Sequence, residues 1–322
     1  MEKFVFFSGK GGVGKTTVAS AYAAKCADEG IDTLVVSTDP AHSTSDVFDQ
    51  DFTDEPARVE ERERLWAMEL DPDEEVQQHL QGIKRTISEQ VSPAIVNEID
   101  RQIELAHQTP GAYEAALFDR FIDVMENSEE YDRVVFDTSP TGGTLRLLAL
   151  PDFLSEWIDR LIEKRSSSID LFEKAAIGDE EARERARKDP IIARLRERKE
   201  KFEFAARTLR ERAAFFLVMN PDELSIRETD RSIGSLEDYG LGVQGLLVNR
   251  LTPEPDPEEE GRGARYLRER RATERERLAR IRETLAPPVI ATIETRVEEV
   301  RGPLVDEIAD ELAIEVTPPP AS

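Results

Sequence analysis

The sequence predicts an α/β chain, a doubly wound and mostly parallel sheet with an inserted α-helical subdomain. Three observations predict it. A glycine-rich stretch, Ser8 to Thr17, stands between an apolar run (Phe4 to Phe7) and an apolar-periodic segment (Val18 to Cys26), the order of a strand, a loop and a helix. Further short apolar runs alternate with helical periodicity along the chain, as parallel sheets with crossover helices require. Two of those runs deliver aspartates, Asp39 and Asp137, where an open parallel sheet presents its ligand groups.

Gly9, Gly14, Lys15 and Thr16 fill the G-x-x-x-x-G-K-[ST] frame of a phosphate-binding loop, so the fold expected is that of the P-loop NTPases. Glycines let the backbone close on phosphates, and successive N–H groups with a helix N-terminus hold the anion. The phosphate-holding set is therefore Gly9, Lys10, Gly11, Gly12, Val13, Gly14, Lys15, Thr16 and Thr17, with Lys15 on the β- and γ-phosphates and the Thr16 hydroxyl on Mg²⁺. Lys10 is a second lysine in a loop that needs one.

After the first helix, Gly30 is a stop signal and Thr33 to Ser37 reads as a buried strand ending at Thr38-Asp39-Pro40-Ala41-His42-Ser43. Pro40 fixes the turn, and Asp39 is expected to face the γ-phosphate and hold the attacking water; an Asp-Pro cap on a helix from Ser43 to Val47 is the alternative. His42 fits a capping or supporting role as well as a catalytic one. An acidic surface excursion (Phe52 to Arg64) precedes a strand at Leu65 to Leu70, and helical stripes follow from Val76 to Met125, interrupted at Thr109-Pro110-Gly111. Val134 to Phe136 then delivers Asp137 to the Mg²⁺ water shell, giving Thr16, Asp39 and Asp137 as the metal set. Pro140, Gly142 and Gly143 make the next loop a candidate switch.

Residues 151 to 212 are amphipathic and strongly charged. Strands at Ala213 to Met219, Gly245 to Val248 and Val289 to Ile293 alternate with helices at Ser225 to Leu236, Ala264 to Leu285 and Pro303 to Leu312. Asn249 follows a strand; its amide donates and accepts, which suits an adenine edge, although a lone asparagine there is also a common turn residue.

A net charge of −25 disfavours nucleic acid and anionic membranes as electrostatic partners. Arginine supplies 33 of the 43 basic residues, and the acids are spread among periodic apolar positions, a solvated surface suited to high salt. Cys26 is the single cysteine, which leaves no intrachain disulfide and no cysteine-based zinc site in one subunit. Met1 leads directly into a strand and no apolar stretch reaches membrane-spanning length, so a cytoplasmic protein is expected.

KGGVGKTT, STDPAHS, DTSPTGGTLRLLALP and VNRL, in that order, resemble the phosphate loop, two switches and adenine loop of the arsenite-pump and tail-anchored-protein targeting ATPases, which share a deviant Walker A loop. The resemblance implies an ATP-bridged homodimer in which Asp39 is catalytic and Lys10 reaches the partner's phosphates. It makes Asn249 the adenine contact and Asp222 an acidic residue of the nucleotide site. It also implies hydrophobic transmembrane segments of client proteins as cargo and allows a membrane receptor. Three departures stand out. Gly143 occupies a position where the family often has histidine, no C-x-x-C pair lies near residues 260 to 272, and the metalloid-binding cysteines are missing. Residues 151 to 212 also lack the methionines common in the family's client groove.

The expected division is a discontinuous ATPase domain (1–72, 129–150, 213–316), a helical subdomain (73–128, 151–212) and a disordered tail (317–322). The expected function is a Mg²⁺-dependent ATPase that delivers hydrophobic membrane-protein segments. An arsenite efflux ATPase and a partition or positioning ATPase are the alternatives.

Overall fold

The computed structural model describes residues 2–38, 43–71, 75–76, 112–138, 155–167 and 190–316. Asp39, His42, the stripes between residues 80 and 105, the switch loop at 139–150 and the tail at 317–322 lie outside them.

The chain runs β1 (Phe4–Ser8), α1 (Lys15–Asp28), β2 (Thr33–Ser37), α2 (Ser43–Phe48), β3 (Ala57–Arg58), β4 (Leu65–Glu69), α3 (Ala112–Glu126) and β5 (Arg133–Asp137). It continues with α4 (residues 155–167), α5 (Pro190–Glu211), β6 (Ala213–Met219), α6 (Glu223–Asp238), β7 (Val243–Leu251), α7 (Arg262–Thr284), β8 (Val289–Glu294) and α8 (Pro303–Glu311). The eight strands form one sheet in the order β3-β4-β2-β5-β1-β6-β7-β8. Every neighbouring pair is parallel except β3 with β4.

β1, β2, β5 and β6 are buried along their whole length, which explains why they read as unbroken apolar runs rather than alternating ones. Their side chains still alternate between two cores. Phe4, Phe6, Phe136, Phe215 and Leu217 point to the face covered by α3, α5, α6 and α7. There Phe6 stacks on Phe136 and Phe215, with ring centroids 4.6 and 5.0 Å away, contacts worth about 0.5–1.5 kcal/mol each beyond area burial. Val5, Phe7, Val35, Val135 and Phe216 point to the other face, under α1 and α8. Leu117, Phe121 and Ile122 of α3 and Phe202, Ala205 and Leu209 of α5 share the first core with the strands.

Two local differences from the sequence expectation have physical reasons. β3 lies within the acidic stretch read as a surface excursion; two residues, Ala57 opposite Ala67 and Arg58 opposite Trp66, carry too little pattern to announce a strand. β7 extends to Leu251 and so includes Asn249. Its register with β8 shifts between Val248 and Leu251, and Arg250 takes a left-handed φ of 61°, a bulge where a turn was equally readable.

Candidate active site

β1 is central, flanked by β5 and β6, so the loop after it opens at the carboxyl edge of the sheet between two strands that also end there. The loop's shape depends on its glycines. Gly9 has φ +147°, and a Cβ on it would lie 2.1 Å from the Val218 carbonyl oxygen of β6. Gly14 has φ +90°, and a Cβ there would lie 2.3 Å from Asn249 Nδ2. Neither position admits another residue without moving backbone or the asparagine. Gly11 and Gly12 form the exposed tip, while Val13 is buried.

Gly14 is the N-cap of α1 and has no side chain with which to cap it. The helix dipole and first-turn N–H groups therefore face the loop's concavity, the arrangement a phosphate needs. Lys15 is buried and folds back over the loop, its Nζ donating to the Lys10 carbonyl at 3.2 Å. Thr17 is half-buried on the next step of the helix. Beneath them α1 is locked into the core by Val18, Ala19, Ala21, Tyr22, Ala23, Ala24 and Cys26, each fully buried. Burial raises the Tyr22 phenol and pushes the Cys26 thiol up to about 11, while Arg133, whose Nη1 donates to the Tyr22 hydroxyl at 2.9 Å, acts in the opposite sense on both.

Thr16 and Asp137, far apart in the chain, meet here. Thr16 Oγ1 donates to Asp137 Oδ2 at 2.6 Å, and Ser37 Oγ donates to the same oxygen at 3.3 Å. Asp137 is 1% exposed. A hydroxyl beside a buried carboxylate is a hard-oxygen donor set, and it fits Mg²⁺ held jointly with phosphate oxygens and water. The strand ends around it are cross-tied: Thr38 N donates to Asp137 O at 3.1 Å and Thr138 N to Phe7 O at 3.2 Å.

Lys10 behaves differently from Lys15. Its ammonium extends away from the loop to Glu228 on α6, 3.3 Å away, and both side chains are more than a third exposed. Asn249 sits against the loop rather than apart from it. Its Nδ2 donates to Val13 O at 2.7 Å and its Oδ1 accepts from Arg250 N at 2.8 Å. An amide has two N–H groups and two lone pairs, so these two bonds take half of its capacity, and the one to Val13 O braces the loop. Asp222 caps α6, its Oδ1 accepting from Ser225 N at 2.9 Å. It also lines a cavity of about 470 Å³ with Asn220, Arg250, Tyr266 and Arg277.

Sequence reasoning missed the glutamates that hold this edge together. Glu274 on α7 is 4% exposed and accepts from Thr252 N (2.7 Å), Thr252 Oγ1 (2.9 Å) and Arg270 Nε (3.0 Å), fixing the chain just beyond Asn249. Glu69 at the end of β4 does the same for α2. Among 68 acidic residues neither stands out by type. The available signal was position, since Glu69 closes an otherwise buried strand at the edge where Asp137 closes another. Among the described residues no helix is long and apolar enough to cross a membrane.

A family model described as "Anion-transporting ATPase" matches residues 2–313. The chain is 31% identical to the "Putative arsenical pump-driving ATPase 2" of Aquifex aeolicus, over 92% of this chain and 94% of that protein. It is 36% identical to the "Putative arsenical pump-driving ATPase" of Halobacterium salinarum over 93% of this chain, but spans only 42% of that longer protein. It is also 36% identical to the "ATPase GET3B" of Arabidopsis thaliana, over 78% of this chain and 64% of that one. With a loop built for phosphate, a carboxylate beside its threonine and a family match along nearly its whole length, the chain is an ATP hydrolase and belongs to the anion-transporting ATPase family.

Proposed function

We propose that the protein is a Mg²⁺-dependent ATPase that works as an ATP-bridged homodimer in the cytoplasm and couples nucleotide binding and hydrolysis to the capture and delivery of hydrophobic membrane-protein segments. The observation that carries the dimer is the divergence of the two loop lysines. Lys15 is buried over its own loop, whereas Lys10 extends outward to Glu228 with more than a third of its side chain exposed. A cation on the loop's rim can exchange that partner for the phosphates of a second subunit, and lending charge across the interface would couple hydrolysis to dimerisation.

In this reading the loop N–H groups and Lys15 bind and orient the triphosphate, and Asn249 spends its remaining hydrogen-bonding capacity on adenine. Asp222 lines the same edge. Thr16 and Asp137 hold Mg²⁺, which when bound neutralises charge on the phosphate oxygens. Asp39 holds the attacking water. The division into an ATPase domain and a helical subdomain assigns client capture to residues 73–128 and 151–212, with a membrane receptor as a further partner.

The relatives' names offer both arsenical pumping and the GET3 type. Cys26 favours the GET3 type, because one buried thiol with a raised pKa is a poor start for a thiolate site that would hold a metalloid. A partition or positioning role is disfavoured by the net charge of −25.

Asp39→Asn is expected to leave ATP affinity within about twofold and to reduce turnover by about a hundredfold or more. Polypeptides that co-purify with the wild type and this variant provide the test of cargo. Enrichment of membrane proteins on the variant supports the reading, while arsenite-stimulated turnover with no bound polypeptide sinks it.

A further inference from the structure

Lys10 is held at its two ends by different partners. Its backbone carbonyl accepts from Lys15 Nζ at 3.2 Å, inside the phosphate loop. Its ammonium lies 3.3 Å from Glu228 Oε2, outside it. A flexible four-carbon stem joins the two, so the charge can swing by rotamer changes alone while the loop keeps its shape.

The helix that carries Glu228 is fixed. α6 follows β6, the strand whose Val218 carbonyl oxygen sits against Gly9, the residue before Lys10. Asp222 caps the helix through Ser225 N at 2.9 Å, and Ser225 Oγ accepts from Asn220 N at 3.2 Å, which ties the first turn to the strand end. Ile226, Ile233 and Leu236 then anchor α6 in the core. The carboxylate is therefore presented to the loop's rim from a rigid support. Its Oε2 is shut off from solvent, and among the described residues no hydrogen-bond donor reaches it; the Lys10 ammonium is the cation beside it. Withdrawing that cation leaves a desolvated carboxylate oxygen uncompensated, which favours the pair as it stands.

We propose that Glu228 is a latch on assembly, an inference that rests on the reading of Lys10 as a bridge between subunits: Glu228 holds Lys10 on its own subunit, and ATP-driven dimerisation must break this pair before the lysine can serve the second subunit's phosphates. Both side chains are more than a third exposed, so one such pair is weak, a factor of about two to five in an equilibrium constant. A homodimer closes only when two of them have broken, so the factor enters twice. The latch yields when triphosphates on both subunits compete for the two lysines. Closure on empty sites has nothing to offset its loss.

The test compares Glu228→Gln, Asp230→Asn, Lys10→Ala and the double variant Lys10→Ala/Glu228→Gln in the full chain. Sedimentation velocity with Mg²⁺ and a saturating, slowly hydrolysed ATP analogue gives the dimer Kd, and Tm checks folding. Glu228→Gln keeps the shape of the side chain and removes its charge, so the dimer Kd is expected to fall by about fourfold or more. Glu228→Ala repeats the measurement should the amide disturb the fold. Asp230→Asn makes the same change of charge at an exposed position of the same helix, and is expected to leave Kd within about twofold. Without Lys10 there is no ammonium to hold, so the double variant is expected to match Lys10→Ala. If Lys10→Ala weakens the dimer while Glu228→Gln matches the wild type, the inference fails alone. It fails in the same way if Asp230→Asn tightens the dimer as much, or if the gain from Glu228→Gln persists without Lys10. If Lys10→Ala dimerises as the wild type does, the reading of Lys10 fails and takes the latch with it.

Discussion

Helices α1 and α7 both serve the nucleotide edge, yet they are held by opposite means. α1 is sunk in the core; eleven of its fourteen residues are buried, most of them alanine or other small side chains that let it lie close against the sheet. α7 has twenty-three residues, of which only Ala264, Glu274 and Ile281 are buried, and it is laced to its surroundings by arginines. Arg271 reaches Thr252 O and Glu294, Arg277 reaches Pro221 O, and Arg280 pairs with Glu223. Close packing fixes the phosphate loop where a fraction of an ångström matters. Solvent-exposed ion pairs suffice for a helix whose task is to present one buried glutamate to Thr252.

The comparison breaks most clearly at the loop itself. Gly9→Ala is expected to abolish ATP binding, because the added carbon meets the Val218 carbonyl oxygen, a backbone atom with no freedom to withdraw. Titration of a fluorescent ATP analogue, with circular dichroism to confirm folding, reads the outcome. Retained affinity would mean that the loop can rearrange.

Within α1 the next effect is polar. Tyr22→Phe removes the hydroxyl that accepts from Arg133, a residue 1% exposed. The expected cost is about 1–3 kcal/mol in urea unfolding, with ATP affinity unchanged since Tyr22 lies beyond the first turn of α1, where Lys15 and Thr16 belong to the site.

A smaller effect follows from pH. The Cys26 thiol has its pKa raised by burial from an ordinary 9.0 to about 11, so the folded state favours the protonated form. The stability this contributes is complete below pH 9 and is lost as the pH rises through about 11. Tm should fall across that window, and Cys26→Ala should make the fall shallower, the remainder coming from Tyr22, raised in the same direction by burial.

On α7 the smallest effect is expected. Arg280→Gln breaks a pair with Glu223 in which both side chains are nearly half exposed, and Tm should stay within about 1 °C of the wild type. A drop as large as that of Tyr22→Phe would erase the distinction between the two helices.

Much of the fold was legible because it is written locally. Thr33 to Ser37 and Ala213 to Met219 read as buried strands and are β2 and β6. The phosphate loop was legible for the same reason, since glycine spacing encodes its shape. What escaped was long-range and depended on ordinary residues. Glu274 is one glutamate on a helix of arginines and glutamates, and only tertiary packing buries it. Asn249 was matched to adenine by resemblance, but its contact with Val13 O spans 236 residues and has no signature in either segment. Glu69 was the nearest to being found. The rule that singled out Asp137, a carboxylate at the carboxyl end of a buried strand, applies equally to it.

The position of β1 has a consequence for biosynthesis. The central strand is made well before either of its neighbours, β5, which begins at Arg133, and β6, which begins at Ala213, with Gly9 seated against Val218. A ribosome must therefore add about 200 residues after β1 before that strand finds both flanking ladders. Until then the emerging chain carries an apolar strand without its flanking partners, and nucleotide can be gripped only after β6 has cleared the exit tunnel.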